Sequence, residues 1–200
     1  RRQIQVAIGL RRFPDALAHV EILRQTHPTD GELSFLAGLC HEEQLDHQKA
    51  AEAYEAAVEQ SPERIEAWSR LATLLQRSLD QPAKAEEVID RLVEDNPADA
   101  AAWLARANFR KQLGRIEEAS ADLEQATQRD PGSERILLAA AEIGYEKARL
   151  ARTAGKDAQV ERTAIETRRL IENSLELFPE NLDLRLRLVV LEALFGDADR

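Results

Sequence analysis

The chain has 200 residues, 27 of them basic and 37 acidic, for a net charge of −10. Its 44% apolar content is enough for a core and excludes wholesale disorder. No run approaches the 18 apolar residues of a membrane-spanning helix, and one cysteine, Cys40, excludes an internal disulfide framework. Few Gly and Pro beside abundant Ala, Leu, Glu and Arg favour helix. The chain opens on Arg1, holds no Met and shows no signal peptide. It is therefore expected to be a piece of a longer protein, with a cytoplasmic setting only as the default.

Five of the seven prolines form a series, Pro28, Pro62, Pro97, Pro131 and Pro179, at intervals of 34, 35, 34 and 48. A fixed period in the thirties marks a stacked array. Pro14 and Pro82 lie 14 and 15 residues before a member of the series, at the first turn of a second helix, where a missing N–H costs nothing. The expected helices, in chain order, are 1–10, 13–27, 30–43, 47–60, 63–79, 82–95, 98–113, 116–129, 132–154, 157–178 and 181–196. Second helices carry apolar residues at a spacing of four then three, as in Ala16/Val20/Leu23, Ala50/Tyr54/Ala57, Ala85/Ile89/Leu92 and Ala119/Leu123/Ala126. First helices carry Trp68, Leu71, Ala72 and Leu75, then Trp103, Ala107 and Leu113, and Gly114 suits the tight turn within a pair.

The 48-residue interval exceeds 34 by 14. Gly155 lies 24 residues from Pro131 and 24 from Pro179, whereas Gly114 lies 17 from Pro97 and 17 from Pro131. The excess thus divides into seven and seven, predicting one pair with each helix two turns longer. The alternative is a loop near 150–165. In 181–196 the alternation of Leu182, Leu184, Leu186 and Leu188 has the period of a strand, but Val189-Val190-Leu191 and the register after Pro179 favour helix.

The segments Trp68-x2-Leu71-Ala72-x2-Leu75, Ala50-x3-Tyr54 and Ala119-x3-Leu123, each closed by a Pro, resemble the tetratricopeptide repeat. The resemblance covers essentially all of residues 1–200. It implies an all-α, right-handed α-solenoid of stacked antiparallel pairs, with repeats at about 1–29, 30–63, 64–98 and 99–132. An extended repeat at 133–180 and a half repeat at 181–200 complete a single array. The signature residues are packing residues, so the resemblance speaks to fold more than to function. Ser34, His41, Arg106 and Arg110 depart from it, standing where apolar residues are usual.

The resemblance also implies a partner-binding concave groove lined by first helices. Carried over by register, its residues include Phe35, Leu39, Arg70, Thr73 and Arg77, then Leu104, Asn108 and Lys111, then Leu138, Glu142 and Tyr145. Such a groove, apolar with added cations, suits an amphipathic ligand bearing acids. Phe35 and Leu39 stand where family members that clamp a terminal carboxylate carry Lys and Asn, which argues against such a clamp.

Other chemistry is weakly represented. The run Cys40-His41-Glu42-Glu43-Gln44-Leu45-Asp46-His47 is rich in possible metal ligands, but its spacing matches no helical i, i+4 pair and reads as a polar turn. No phosphate loop, nucleophile elbow or His-Glu-x-x-His occurs, so neither catalysis nor a cofactor is expected. Residues 30–133 carry 11 basic and 22 acidic side chains, a balance that repels phosphate backbones and argues against nucleic acid.

The reading is a noncatalytic interaction module or scaffold docking a protein or peptide. The alternatives are the recognition arm of a larger enzyme, such as a glycosyltransferase or protease, and a structural scaffold of a bacterial envelope or secretion assembly. The weak hint of a bacterial source is compositional: 22 Arg against 5 Lys. In the last helix Leu184, Leu188 and Leu191 form one stripe and Leu182, Leu186, Val189 and Ala193 another. One stripe packs inward; a further helix, expected to begin just after Gly196, would cover the other in a longer protein, and left bare in this piece that stripe invites a homodimer through 181–196.

Overall fold

The structure, a computed structural model, describes residues 1–195. The described residues form eleven helices and no strand. They divide into two compact units, Arg1–Pro97 and Ala98–Arg200. The first unit holds α1 (Arg2–Gly9), α2 (Phe13–Arg24), α3 (Gly31–Glu43), α4 (His47–Gln60), α5 (Ile65–Arg77) and α6 (Pro82–Asp95). The second holds α7 (Ala100–Gln112), α8 (Ile116–Arg129), α9 (Glu134–Thr153), α10 (Asp157–Leu177) and α11 (Leu182–Phe195). All eleven expected helices are present, and the expected onset of a further helix after Gly196 lies outside the described residues.

The turns follow the prolines. Each of the five series members sits in the turn between pairs, while Pro14 and Pro82 occupy the first turns of α2 and α6. Two residues beyond each series proline stands the residue just before the next first helix. There Asp30 accepts from the Glu32 amide, Asp99 from the Ala101 amide and Asn181 from the Leu184 amide, at 2.8–3.1 Å. These side chains satisfy N–H groups that a helix start leaves without partners. The turns within pairs each turn on one left-handed residue: Gly114 (φ 75°) and Gly155 (φ 66°), as the sequence suggests, but also Arg11, Leu45 and Asp80.

The long interval resolves as two lengthened helices rather than a loop. α9 has 20 residues where α7 has 13, and α10 has 21 where α8 has 14, so each gains seven.

Packing follows the four-then-three spacing. Ala50, Tyr54, Ala57, Ala85, Ile89, Leu92, Ala119 and Ala126 are all fully buried. The small residue admits the neighbouring helix closely and the large one fills the space between. In the first unit α1–α3 share a cluster of Ile4, Phe13, Val20, Leu33 and Cys40, whose thiol burial pushes up to about 11. In the second, Leu123, Ile136 and Ile143 anchor a cluster under α7–α9, and Ile171, Leu184 and Leu191 one under α9–α11.

The sequence departures at 106 and 110 form a buried ion cluster. Arg106 grips both oxygens of Asp122, with Nη2–Oδ1 at 2.8 Å and Nε–Oδ2 at 3.1 Å, and Arg110 Nη1 meets Oδ2 at 2.8 Å. The side chains of Asp122, Arg106 and Arg110 are 3%, 14% and 13% exposed. The Arg106 guanidinium also lies 5.0 Å from the Trp103 ring centroid. Ser34 is likewise satisfied, donating to Gln60 at 2.8 Å and accepting from Arg24 at 3.2 Å.

Candidate interaction site on the first helices

In the first unit the facing sides of α3 and α5 are joined by charge. Glu42 Oε2 accepts from Arg70 Nη1 at 3.2 Å and from the Tyr54 hydroxyl at 2.5 Å, and Arg70 Nε donates to Glu66 at 3.0 Å. Burial, reinforced by the Glu42 carboxylate, pushes the Tyr54 phenol well above its ordinary range, so it stays a neutral donor. Arg64 pairs with Glu32 at 3.0 Å and lies 4.9 Å over the Phe35 ring. Phe35 is itself buried at 5% exposure, so it shapes this face from beneath. Leu39 is half-buried against the α1–α3 cluster, and the Thr73 hydroxyl donates to the Ser69 carbonyl. Arg77 is exposed on the last turn of α5.

In the second unit three successive first helices meet at one acid. Glu142 on α9 receives Lys111 of α7 at 2.9 Å and Arg187 of α11 at 3.8 Å. All three side chains are partly exposed, at 36%, 26% and 36% respectively. One helical turn along α9, a cavity of about 300 Å³ opens between α9, α10 and α11. Ala141, Tyr145, Ile171 and Leu191 give it apolar walls, and Asp183 and Arg187 add charge. The Tyr145 ring packs edge-on against Phe195 at 6.0 Å. Asn108 and Leu138 are half-buried. Leu104 is 5% exposed in the cluster with Ile136 and Ile143, so it is core.

The structure thus draws Lys111, Glu142 and Tyr145 towards one place and puts Phe35 and Leu104 beneath the surface. Two features lie outside what register alone gives: Arg187, because α11 carries no groove assignment, and the cavity, because it forms only where α9, α10 and α11 pack together. The run Cys40–His47 spans the last turn of α3, the connecting residues 44–46 and the first residue of α4, and Asp46 accepts from the Lys49 amide. Among the described residues no group of three His, Cys, Asp or Glu is placed to hold a metal, and no helix is long and apolar enough to cross a membrane.

Three tetratricopeptide-repeat profiles match the chain, over residues 1–65, 43–109 and 100–143. The chain belongs to the tetratricopeptide-repeat family, an α-solenoid class generally used for protein interaction. No curated protein matches it. Among solved structures it is similar to TTC0263, a thermophilic tetratricopeptide protein of Thermus thermophilus, at 22% identity and TM-score 0.57, covering 95% of each chain. It is similar to YrrB, described as having an unusual peptide-binding site, at 17% identity and TM-score 0.54, covering 90% of this chain and 86% of that one. Human IFIT1, solved as a dimer with m7Gppp-AAAA, aligns at 17% identity and TM-score 0.64 over 93% of this chain and 44% of its own. At these identities the likeness is one of fold.

Proposed function

We propose that the chain is a noncatalytic interaction module whose first-helix faces seat a partner peptide or helix. The observation that carries this is Glu142 held between Lys111 and Arg187 beside an apolar cavity containing Tyr145. An apolar recess with a few polar groups at its edge is how peptide-binding surfaces combine affinity with orientation. The matching segment presents a medium-sized apolar side chain to the cavity. One helical turn away it carries a carboxylate that takes over Lys111 and Arg187 from Glu142. In the first unit a ligand carboxylate would compete with Glu42 and Glu66 for Arg70, with Arg77, Leu39 and Thr73 on the same first helices. The acidic balance of residues 30–133 favours proteins over nucleic acid. A second copy of the chain, docked through 181–196, belongs to the same set of partners.

A photo-crosslinking side chain placed at Tyr145 tests the reading, with one at Glu172 on the outer, exposed side of α10 as its control. A partner captured at 145 and not at 172, and lost on Arg187→Glu, supports it. Capture at 172 alone moves the site to the second helices.

A further inference from the structure

α11 is split lengthwise. Leu184, Leu191 and Phe195 are buried against α9 and α10, with Leu188 partly so. The opposite side is left in solvent, with Leu182 75%, Leu186 62% and Val189 61% exposed and Ala193 exposed beside them. Residues 182, 186, 189 and 193 recur at spacings of four, three and four. That is the seam of a coiled coil, lying opposite the buried side. The positions flanking this seam decide what it fits. Arg185 and Glu192 stand on one flank and Asp183 and Val190 on the other.

Resting on the interaction-module reading, we infer that this seam seats α11 of a second copy, antiparallel about a two-fold axis near residues 187–188. In that arrangement Leu182 faces the copy's Ala193, and Leu186 faces its Val189, large against small at each level. The same-flank positions then meet across the axis. Arg185 faces the copy's Glu192, and Glu192 faces the copy's Arg185, so one contact is satisfied twice. A parallel pair would instead set Arg185 against Val190 and bring no opposite charges together. Arg185 is half exposed; it donates to the Pro179 carbonyl and lies 3.9 Å from Glu180, itself almost fully exposed, and it exchanges these exposed partners for the copy's Glu192. The 14-residue helix is about 21 Å long, which places the contact at the small end of interfaces and makes the dimer weak and concentration-dependent.

The test is sedimentation equilibrium of the 200-residue chain over a wide concentration range, with helicity followed by circular dichroism. Wild type is expected to dimerise. Leu186→Glu, on an exposed side chain, is expected to abolish the dimer without loss of helix. Glu192→Arg and Arg185→Glu each set like charges together twice and are expected to weaken dimerisation at least tenfold. An equimolar mixture of the two, and the double variant Arg185→Glu with Glu192→Arg, are expected to restore it. A wild type monomeric at every concentration overturns the proposal. So does a dimer indifferent to Leu186→Glu, or single variants that the mixture does not rescue. A longer chain that stays monomeric because its following segment covers the seam also overturns it. Each of these can occur while crosslinking at Tyr145 still captures a partner, which separates this failure from failure of the broader reading.

Discussion

Removing Asp122 is the sharpest test of how the second unit is held together. Asp122→Ala takes from Arg106 and Arg110, each about one-seventh exposed, the buried carboxylate that both grip, and leaves Arg110 the half-exposed Glu118 at 3.9 Å as an acid in its place. Breaking a buried pair by removing one partner costs about 3–5 kcal/mol, against a total domain stability of about 5–15 kcal/mol. With a urea dependence of about 2 kcal/mol per molar, the unfolding midpoint falls by about 2 M. The preceding repeat supplies the control. Leu71, Leu75 and Val88 stand at the positions of Arg106, Arg110 and Asp122, one repeat earlier. The triple variant Arg106→Leu, Arg110→Leu, Asp122→Val transplants that apolar set. Replacing a whole buried ion cluster by apolar groups of similar size is neutral to stabilising by about 1–4 kcal/mol. Urea titration by circular dichroism measures both, and hydrogen exchange in α7 and α8 assigns the loss to the second unit. An Asp122→Ala variant within about 1 kcal/mol of wild type would refute the reasoning. A triple variant as unstable as the single one would do the same, because the cluster would then be worth more than its apolar replacement.

Two further outcomes follow from the first unit. Burial holds the His41 imidazole below its ordinary value despite nearby Asp46 and Glu52, with Lys49 and Arg24 acting in the same direction as burial. The unfolded chain therefore binds its proton first, and the contribution of this group to stability is full above about pH 7 and falls as pH drops through about 6.5. His41→Gln should show a smaller drop in urea midpoint over that window, and an identical drop would exclude His41 as the cause. Leu45 is 74% exposed in the left-handed region at φ 61°. Leu45→Gly should raise stability by up to about 1 kcal/mol, the backbone relief of about 1–2 kcal/mol outweighing the greater chain entropy of glycine. A lower midpoint would show that the leucine side chain contributes more than its exposure suggests.

The helices were legible because their signals are local. A proline series, a four-then-three spacing and the position of Gly155 together locate α9 and α10 and even their seven added residues. The two faces of α11 were legible for the same reason: Leu184 and Leu191 are buried, and Leu182, Leu186 and Val189 are exposed, as their stripes imply. The ion cluster was half legible. Arg106 and Arg110 stood out as charges in apolar positions, but Asp122 did not, because surface acids are common and nothing marked this one. The signal lay in its register, one residue before Leu123 and where the preceding repeat has Val88.

What stayed hidden depends on reach across helices, which periodicity does not encode. Leu104 falls at a groove position by register, yet Ile136 and Ile143 of the lengthened α9 enclose it. Arg70 and Lys111 look like cations offered to a ligand, yet Glu42 and Glu142 already hold them. The turns within pairs make the same point about the backbone. Gly114 and Gly155 announce a left-handed turn because glycine adopts it without cost. Arg11, Leu45 and Asp80 take the same conformation with no such announcement, at intervals that keep step with the repeat. There the demand comes from the packed helices on either side, which hold the turn in place whatever residue occupies it. A ligand on the first-helix face meets the same condition. It does not find a free cation but must replace an acid already in place, so its affinity rests on whether its carboxylate satisfies Lys111 and Arg187 better than Glu142 does.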